Sequence, residues 1–198
     1  MIKQPKYFAQ RSFGYMDLFP QGGVGAECGV ARGENAIDLL HMTKPKKFHL
    51  VDPWDHEKPL GPYGDPNNLF RGDHQLFHEY GQGYENLIRK VFRDEIKSKQ
   101  IEVHRTEAKP WLDSLPENHL DWIYIDTSHF FEETFETLES SIRVLKKGGV
   151  LGMHDFNPAF YQWDVLTPTL HFIHTGNLQC VGMAPPADAA TIFLVKKK

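Results

Sequence analysis

Four carboxylates in the sequence each end a short apolar stretch of the kind that forms a buried parallel strand. These acids are Glu27, Asp52, Asp126 and Asp155. Parallel strands bring their carboxyl ends to one edge of a sheet, and open α/β sheets bind ligands at that edge. The four side chains are therefore predicted to line one ligand-binding edge. A helix N-cap is the alternative role for each of them, because aspartate is common there.

The segment Gly23–Gly33 is typical of a buried strand that runs into a glycine turn and a helix, with Glu27 at the turn. About twenty residues later, Phe48–Asp52 is typical of a second strand ending in a carboxylate, which is the layout of a nucleotide-binding βαβ unit. Glu27 places negative charge where a pyrophosphate would meet the helix N-terminus. We therefore expect a nucleoside without phosphates there. S-adenosylmethionine fits, because it carries a ribose diol, an ammonium and a single carboxylate.

Each predicted cofactor residue has its own role. Asp52 is expected to accept both ribose hydroxyls, with a simple cap of the following turn as the alternative. Gly29 and Gly33 would let the backbone approach the nucleoside and direct N–H groups at the methionine carboxylate. Glu27 would hold the ammonium or orient the glycine loop. Glu107, just past the third predicted strand, would lie beside the adenine amino group.

Asp126, His129 and Asp155 form the predicted reaction centre. Two carboxylates at neighbouring strand ends suit Mg²⁺ or Ca²⁺ better than Zn²⁺. His129 lies three residues beyond Asp126, and a positioned histidine is the usual acceptor for the proton of a substrate hydroxyl. The alternative for His129 is a residue that caps or packs at a helix N-terminus. His154 is interpreted as a core histidine.

The elements that must position these residues alternate between strand and helix. Strands are predicted at 24–27, 48–52, 101–105, 121–126 and 150–154. Helices are predicted at 34–42, 84–99 and 131–145, the last closed by Lys146-Lys147 and Gly148-Gly149. Asp113–Glu117 is assigned to a connector, and the apolar runs His171–Ile173 and Thr191–Val195 to the last two strands, as a hairpin around Pro185-Pro186. This alternation predicts an α/β sandwich around a mainly parallel sheet.

Composition limits the class of protein. With 198 residues, 40% of them apolar, we expect a single domain over 1–198, with an N-terminal cap at 1–20 and a lid or substrate loop at 53–83. The formal charge of −4 lacks long like-charge blocks, which favours a small-molecule substrate over nucleic acid. No stretch approaches the roughly 20 apolar residues of a membrane helix. Two distant cysteines and the lack of an apolar leader predict a cytoplasmic protein. The predicted N-terminal cap is alternatively a contact between the two chains of a homodimer.

Three motifs resemble those of class I S-adenosylmethionine-dependent methyltransferases. Glu27–Gly33 is similar to the first glycine motif of that superfamily, with Asp52 as its ribose acid. The segments Ile125–His129 and Val144–Asp155 are most similar to small-molecule O-methyltransferases of the macrocin and catechol types. The resemblance implies a Rossmann-like, doubly wound, mainly parallel seven-stranded sheet with a C-terminal antiparallel strand.

The same resemblance implies a reaction. It implies methyl transfer from S-adenosylmethionine to a hydroxyl of a small molecule, such as a sugar or a natural product. Asp126 and Asp155 would hold Mg²⁺, and His129 would be the base. Catechol-type relatives have a lysine at the position of His129 and an asparagine where this chain has Phe156.

Three alternative functions stay open at this point. An NAD-dependent oxidoreductase would share the sheet, but the missing third glycine and the acid Glu27 disfavour it. A nonenzymatic protein could keep the cofactor fold and bind a ligand or partner. A metal-independent methyltransferase would use Asp126 and Asp155 only to orient its substrate.

Overall fold

The computed structural model describes residues 18–54, 83–157, 163–184 and 190–197. The strands are β1 (Val24–Cys28), β2 (Lys47–Asp52), β3 (Ile101–Arg105), β4 (Leu120–Ile125), β5 (Leu145–Met153), β6 (Leu178–Ala184) and β7 (Thr191–Lys196). The helices are α1 (Glu34–Thr43), α2 (83–91), α3 (Arg93–Lys97), α4 (Ala108–Ser114), α5 (Phe131–Val144) and α6 (Leu166–His174). The predicted cap at 1–20 and lid at 53–83 lie almost wholly outside the described residues. Within them, no helix combines the length and apolar character needed to cross a bilayer.

The seven strands form one sheet in the order β3-β2-β1-β4-β5-β7-β6. The pairs from β3 through β5 are parallel, whereas β7 is antiparallel to both β5 and β6. The strand order reverses between β1 and β4, which is where sheets of this kind open a ligand crevice at their carboxyl ends. The predicted doubly wound fold with an antiparallel C-terminal strand is confirmed.

The two faces of the sheet are covered by different helices. Strand residues such as Ala26 and Ile123 pack with buried residues of α4, α5 and α6. Phe48 and Trp122 point to the other face, toward α1, α2 and α3. Trp122 is fully buried between two phenylalanine rings, and a Cβ on Gly25 would lie only 2.0 Å from its indole ring. The glycine in β1 therefore makes room for the largest core side chain.

The end of α5 differs from the prediction. The helix ends at Val144, and Lys146–Gly149 lies in β5 instead of closing the helix. Leu145 already pairs with Leu120, and the register then shifts before Trp122. Basic residues followed by glycines are typical of a helix C-terminus, so the sequence pattern favoured the wrong element here.

The assignment of His171–Ile173 to a strand is wrong, because these residues belong to α6. Phe172 is buried on one face of that helix and packs against Phe135 of α5, with ring centroids 4.9 Å apart. The strand before β7 is β6 instead. Ala184 pairs antiparallel with Thr191, so a hairpin does end in β7, but its first strand is β6 and not the predicted one; Pro185-Pro186 lies outside the described residues.

The predicted connector Asp113–Glu117 starts inside a helix. Residues Ala108–Ser114 form α4, with Trp111 and Leu112 buried against the sheet. A two-turn helix offers only one such apolar pair, which is too little for a periodic pattern to emerge.

Candidate functional site

The predicted acids all lie at the carboxyl edge of the sheet. Glu27 is the fourth residue of β1, Asp52 ends β2, and Asp126 directly follows β4. Asp155 follows β5 after one intervening residue, with a backbone φ of 54°. The edge therefore gathers these acids on both sides of the point where the strand order reverses.

Asp52 organises the glycine loop through its carboxylate. Its Oδ2 accepts the backbone N–H groups of Val30 at 2.8 Å and Ala31 at 2.9 Å, and its Oδ1 accepts the N–H of Trp54 at 2.7 Å. The Trp54 indole N–H returns to the Ala31 carbonyl at 3.0 Å. Burial raises the pKa of Asp52, while the three N–H donors oppose that rise. The ribose role of Asp52 stays a prediction, beside this observed role in holding the loop.

Two loop positions require glycine because of close contacts. Gly29 has φ 86°, and a Cβ there would lie 1.7 Å from the backbone oxygen of Asp126. Gly33 has φ 84°, and its Cβ would lie 2.2 Å from Ile88 of α2. The N–H of Gly29 is donated to the Val51 carbonyl, and that of Gly33 to the Val30 carbonyl. The N–H groups of Gly29 and Gly33, which were predicted to point at the methionine carboxylate, are thus both bonded to backbone carbonyls in this structure.

Glu27 is a buried acid beneath the loop, with 1% of its surface exposed. Its Oε1 accepts a hydrogen bond from the Asn35 side chain at 2.9 Å, whereas its Oε2 contacts no hydrogen-bond donor among the described residues. Burial raises the pKa of Glu27 well above its usual range, and the charges of Asp126 and Asp52 add to this, against the Asn35 bond. One buried carboxylate oxygen is therefore left for a donor outside this part of the chain.

On the β4–β5 side of the crevice, the side chains of Asp126, His129, His154 and Asp155 meet in one cluster. His129 Nε2 makes a short hydrogen bond with Asp155 Oδ2. His154 Nδ1 lies 3.3 Å from Asp126 Oδ1 and 3.2 Å from Asp155 Oδ2. The ring of His129 stacks on Trp163, with centroids 4.7 Å apart and planes 21° apart. The structure thus unites the predicted reaction residues.

His154 belongs to this cluster, although the sequence pattern favoured a core role. Burial alone would lower its pKa, but the carboxylates of Asp126 and Asp155 outweigh burial and raise it to about 10. Burial likewise opposes ionisation of Asp155, yet His129 and His154 bring its pKa well below the usual range. At neutral pH His154 is therefore an imidazolium between two carboxylates. The signal available in the sequence was its place directly before a strand-end acid.

The donor atoms of the cluster fit a divalent cation. One ligand atom each from Asp126, His154 and Asp155 lie within 4.8 Å of one another, and the His154 nitrogen becomes a ligand only when its proton is released. Mg²⁺ is commonly held by one or two carboxylates with water in its other positions, so the two acids suit it.

Glu107 is the N-cap residue of α4 and follows β3 after one intervening residue. It therefore lies at the carboxyl edge, on the β2–β3 side of the crevice. Its predicted place beside adenine stays a prediction.

Residues 26–156 match the model of a family described as a methyltransferase domain, Methyltransf_24. The chain belongs to this family. The match spans the glycine loop, Asp52, and the strand ends that carry Asp126 and Asp155. This methyltransferase is of the class I, S-adenosylmethionine-dependent kind. A comparison with curated protein sequences finds no match.

Solved structures resemble this methyltransferase in fold. An rRNA methylase from Streptococcus thermophilus has 12% identity and a TM-score of 0.60, covering 100% of this chain and 99% of that one. A candidate methyltransferase from Streptococcus mutans in complex with SAH has 12% identity and a TM-score of 0.59, covering 99% of both chains. A SAM-dependent O-methyltransferase from Thermotoga maritima has 10% identity and a TM-score of 0.59, covering 98% of this chain and 68% of that one. They include both an rRNA methylase and an O-methyltransferase, so the shared fold does not decide the acceptor.

Proposed function

We propose that this methyltransferase transfers the methyl group of S-adenosylmethionine to a hydroxyl of a small molecule, with His129 as the general base. The observation that carries the proposal is the His129–Asp155 hydrogen bond at the strand ends, next to the glycine loop. A histidine oriented by a buried carboxylate is a recurring arrangement for taking a proton from a hydroxyl.

The protonation state of the pair indicates which nitrogen acts. An ionised carboxylate only accepts hydrogen bonds, so Nε2 of His129 donates the proton of the bond to Asp155 Oδ2. Nδ1 is then the basic atom that would accept the substrate proton. Asp155 would stabilise the imidazolium formed, and the stacked Trp163 would fix the plane of the ring. Such proton transfer is typically worth about 10² to 10⁴ in rate.

The methyl group would move by in-line attack of the substrate oxygen on the sulfonium carbon, while sulfur leaves as a neutral thioether. The contribution of the chain is to hold the two atoms roughly 3 Å apart and aligned. Asp126 and Asp155 are the residues that would hold Mg²⁺. The ion, when bound, supplies a positive charge that lowers the pKa of a hydroxyl.

The cofactor side of the proposal rests on the glycine loop. The Oε2 of Glu27, which has no hydrogen-bond donor within the described part of the chain, would be satisfied by the ammonium of S-adenosylmethionine, directly or through water. Asp52 lies at the end of the neighbouring strand, where a ribose hydroxyl would meet its carboxylate.

The test compares catalysis with cofactor binding in His129→Ala. Wild-type protein, supplied with methyl-labelled S-adenosylmethionine, is assayed against a panel of sugars and phenols, with ribosomal RNA as a separate arm. We expect labelled small molecules, a loss of about 10² to 10⁴ in kcat for the variant, and an almost unchanged Kd for S-adenosylhomocysteine by calorimetry. His174→Ala, an exposed histidine of α6, is the matched control.

Several outcomes would contradict the proposal. Equal loss of turnover and cofactor affinity in His129→Ala would remove the assigned role of that residue. Label in the RNA arm alone would refute a small-molecule acceptor, and cofactor binding without turnover on any arm would favour a nonenzymatic protein.

A metal-independent form of the same reaction is the second candidate. The His154 imidazolium already supplies positive charge between Asp126 and Asp155, so those acids could orient a substrate without an ion. Activity that survives extensive EDTA treatment would favour this form. Activity lost with EDTA and restored by Mg²⁺ would favour the metal-assisted one.

A further inference from the structure

A second cluster of chemically active side chains lies on β2 and β3, away from the reaction centre. His49 is in register with Glu102, and Val51 is in register with His104. Side chains alternate along a strand, so His49, Glu102 and His104 share the face of the sheet that α4 covers. β3 is an edge strand, and β1 separates this pair of strands from β4 and β5, which carry the reaction residues.

The three side chains converge on one point. His49 Nδ1 lies 3.0 Å from His104 Nε2. Glu102 Oε2 lies 3.6 Å from the first of these nitrogens and 3.9 Å from the second. Three atoms with these separations can all be reached from one position roughly 2.1 Å away, which is the usual length of Zn–N and Zn–O bonds. The cluster therefore has the dimensions of a three-residue metal site.

Neighbouring residues hold the three ligands in place. Trp111 of α4 packs on both imidazole rings, with centroids 5.3 Å from each. The Lys47 ammonium contacts Glu102 Oε1, which leaves Oε2 facing the imidazoles. Neighbours that contact the ligands of a metal in this way hold them in the orientation that the ion requires. The positive charge of Lys47 also disfavours a cation nearby, which predicts a site of moderate affinity.

The protonation states also suit metal binding. Burial, with help from His104, lowers the pKa of His49 to about 4, and burial lowers the pKa of His104 despite the charge of Glu102. The hydrogen bond from Lys47 lowers the pKa of Glu102. At neutral pH the cluster therefore offers two neutral imidazoles and one carboxylate, which are the forms that bind metals.

We propose that His49, Glu102 and His104 bind a divalent transition-metal ion such as Zn²⁺, with water as the fourth ligand. Two imidazole nitrogens favour such an ion over Mg²⁺, which prefers oxygen ligands. The side chains of His104 and Glu102 are 27% and 48% exposed, so the ion has a path from solvent. The bound ion would tie the edge strand β3 to β2.

The experiment is a Zn²⁺ titration of the chelator-treated full chain at neutral pH, in competition with a chromophoric chelator. We compare wild type with His104→Gln and Glu102→Gln. His119→Gln is the matched control, because its ring lies 6.3 Å from that of His49 without belonging to the group. Asp155→Asn removes one metal-ligating side chain from the cluster of Asp126, His129, His154 and Asp155. It therefore distinguishes Zn²⁺ binding at that cluster from Zn²⁺ binding at β2 and β3.

We expect one Zn²⁺ site in wild type, His119→Gln and Asp155→Asn. The Kd for Zn²⁺ should be at least about tenfold weaker in His104→Gln and Glu102→Gln, because the loss of a residue that only supports a metal ligand already lowers metal affinity about 10- to 100-fold. Zn²⁺ should raise the Tm of wild type but not of these two variants. Circular dichroism checks their folding, and either folded variant suffices. Absence of Zn²⁺ binding in wild type would overturn the proposal. The proposal would also be overturned if Zn²⁺ still bound to both His104→Gln and Glu102→Gln, or if binding were lost only in Asp155→Asn.

Discussion

Replacing Asp52 with asparagine tests the carboxylate on which the glycine loop depends. In the structure three backbone N–H groups donate to this side chain, two to Oδ2 and one to Oδ1. An amide has one acceptor oxygen, so Asp52→Asn can serve the pair or the single donor, but not both. The substitution is nearly isosteric, so its effect comes from charge and hydrogen bonding and not from packing.

The magnitude follows from those contacts. A hydrogen bond to a charged group contributes roughly 1.5–3 kcal/mol, and a neutral one about 1 kcal/mol. Asp52→Asn loses one of these hydrogen bonds and weakens the other two. Part of the lost free energy is offset, because burial disfavours the ionised carboxylate and raises its pKa, whereas asparagine carries no charge. We expect Asp52→Asn to lower the free energy of unfolding by about 1–3 kcal/mol. If the carboxylate also accepts a ribose hydroxyl, the Kd for S-adenosylhomocysteine should rise roughly 10- to 100-fold.

Urea unfolding and calorimetry measure the two effects separately, and Asp121→Asn is the matched control. Asp121 also accepts a backbone N–H, from Val24 at 2.7 Å, and the Lys146 ammonium at 2.8 Å, but it lies at the amino ends of the strands. Its variant should lose stability with no change in cofactor Kd. Unchanged stability of Asp52→Asn would refute the energetic argument. Lost stability with an unchanged Kd would refute the ribose role alone.

Two further predictions concern Gly29 and His49. Gly29→Ala should destabilise the fold by about 3–5 kcal/mol in urea unfolding, through positive-φ strain and the contact with the Asp126 backbone. Gly148→Ala is the control, because Gly148 has φ 78° but no described atom would lie within 4 Å of its Cβ. This variant should lose only about 1 kcal/mol, and equal losses in the two variants would refute the argument. In chelator-treated protein the lowered pKa of His49, about 4 against 6.5, should leave stability intact above pH 6.5 and remove about 3 kcal/mol as pH falls to 4. His104, Lys47 and His119 oppose protonation there and Glu102 favours it, so an unchanged pH profile in His49→Gln would contradict the assignment.

Strong local patterns made most of the parallel sheet predictable. The run ending at Asp126 is a continuous apolar strand, and Gly23–Gly33 combines a strand, a turn and a helix start, so their places followed from spacing alone. The elements that sequence analysis missed depend on distant partners. Lys146–Gly149 becomes strand because Leu145 pairs with β4, and His171–Ile173 becomes helix because Phe172 packs on α5.

Three of the four residues in the cluster of Asp126, His129, His154 and Asp155 were predictable from the sequence, but their contacts were not. Strand-end position indicated Asp126, His129 and Asp155. Spacing carries no information on the contact of His154 with two carboxylates, since that contact depends on how β4 and β5 lie side by side. The convergence of His49 and His104 was hidden for the same reason: they lie 55 positions apart in the chain and meet only through the register of β2 and β3.

The contact between Gly29 and the peptide of Asp126 has a mechanical consequence. The N–H of Asp126 is donated to the Cys28 carbonyl at 2.8 Å, so residues 28 and 29 at the start of the glycine loop contact the Asp126 peptide through backbone atoms. A backbone contact of this kind has no side chain that can rotate away. A shift of residues 28 and 29 would therefore either break the Asp126 N–H bond or carry the Asp126 peptide along, so under the proposed function the glycine loop and the cluster around Asp126 would be positioned together.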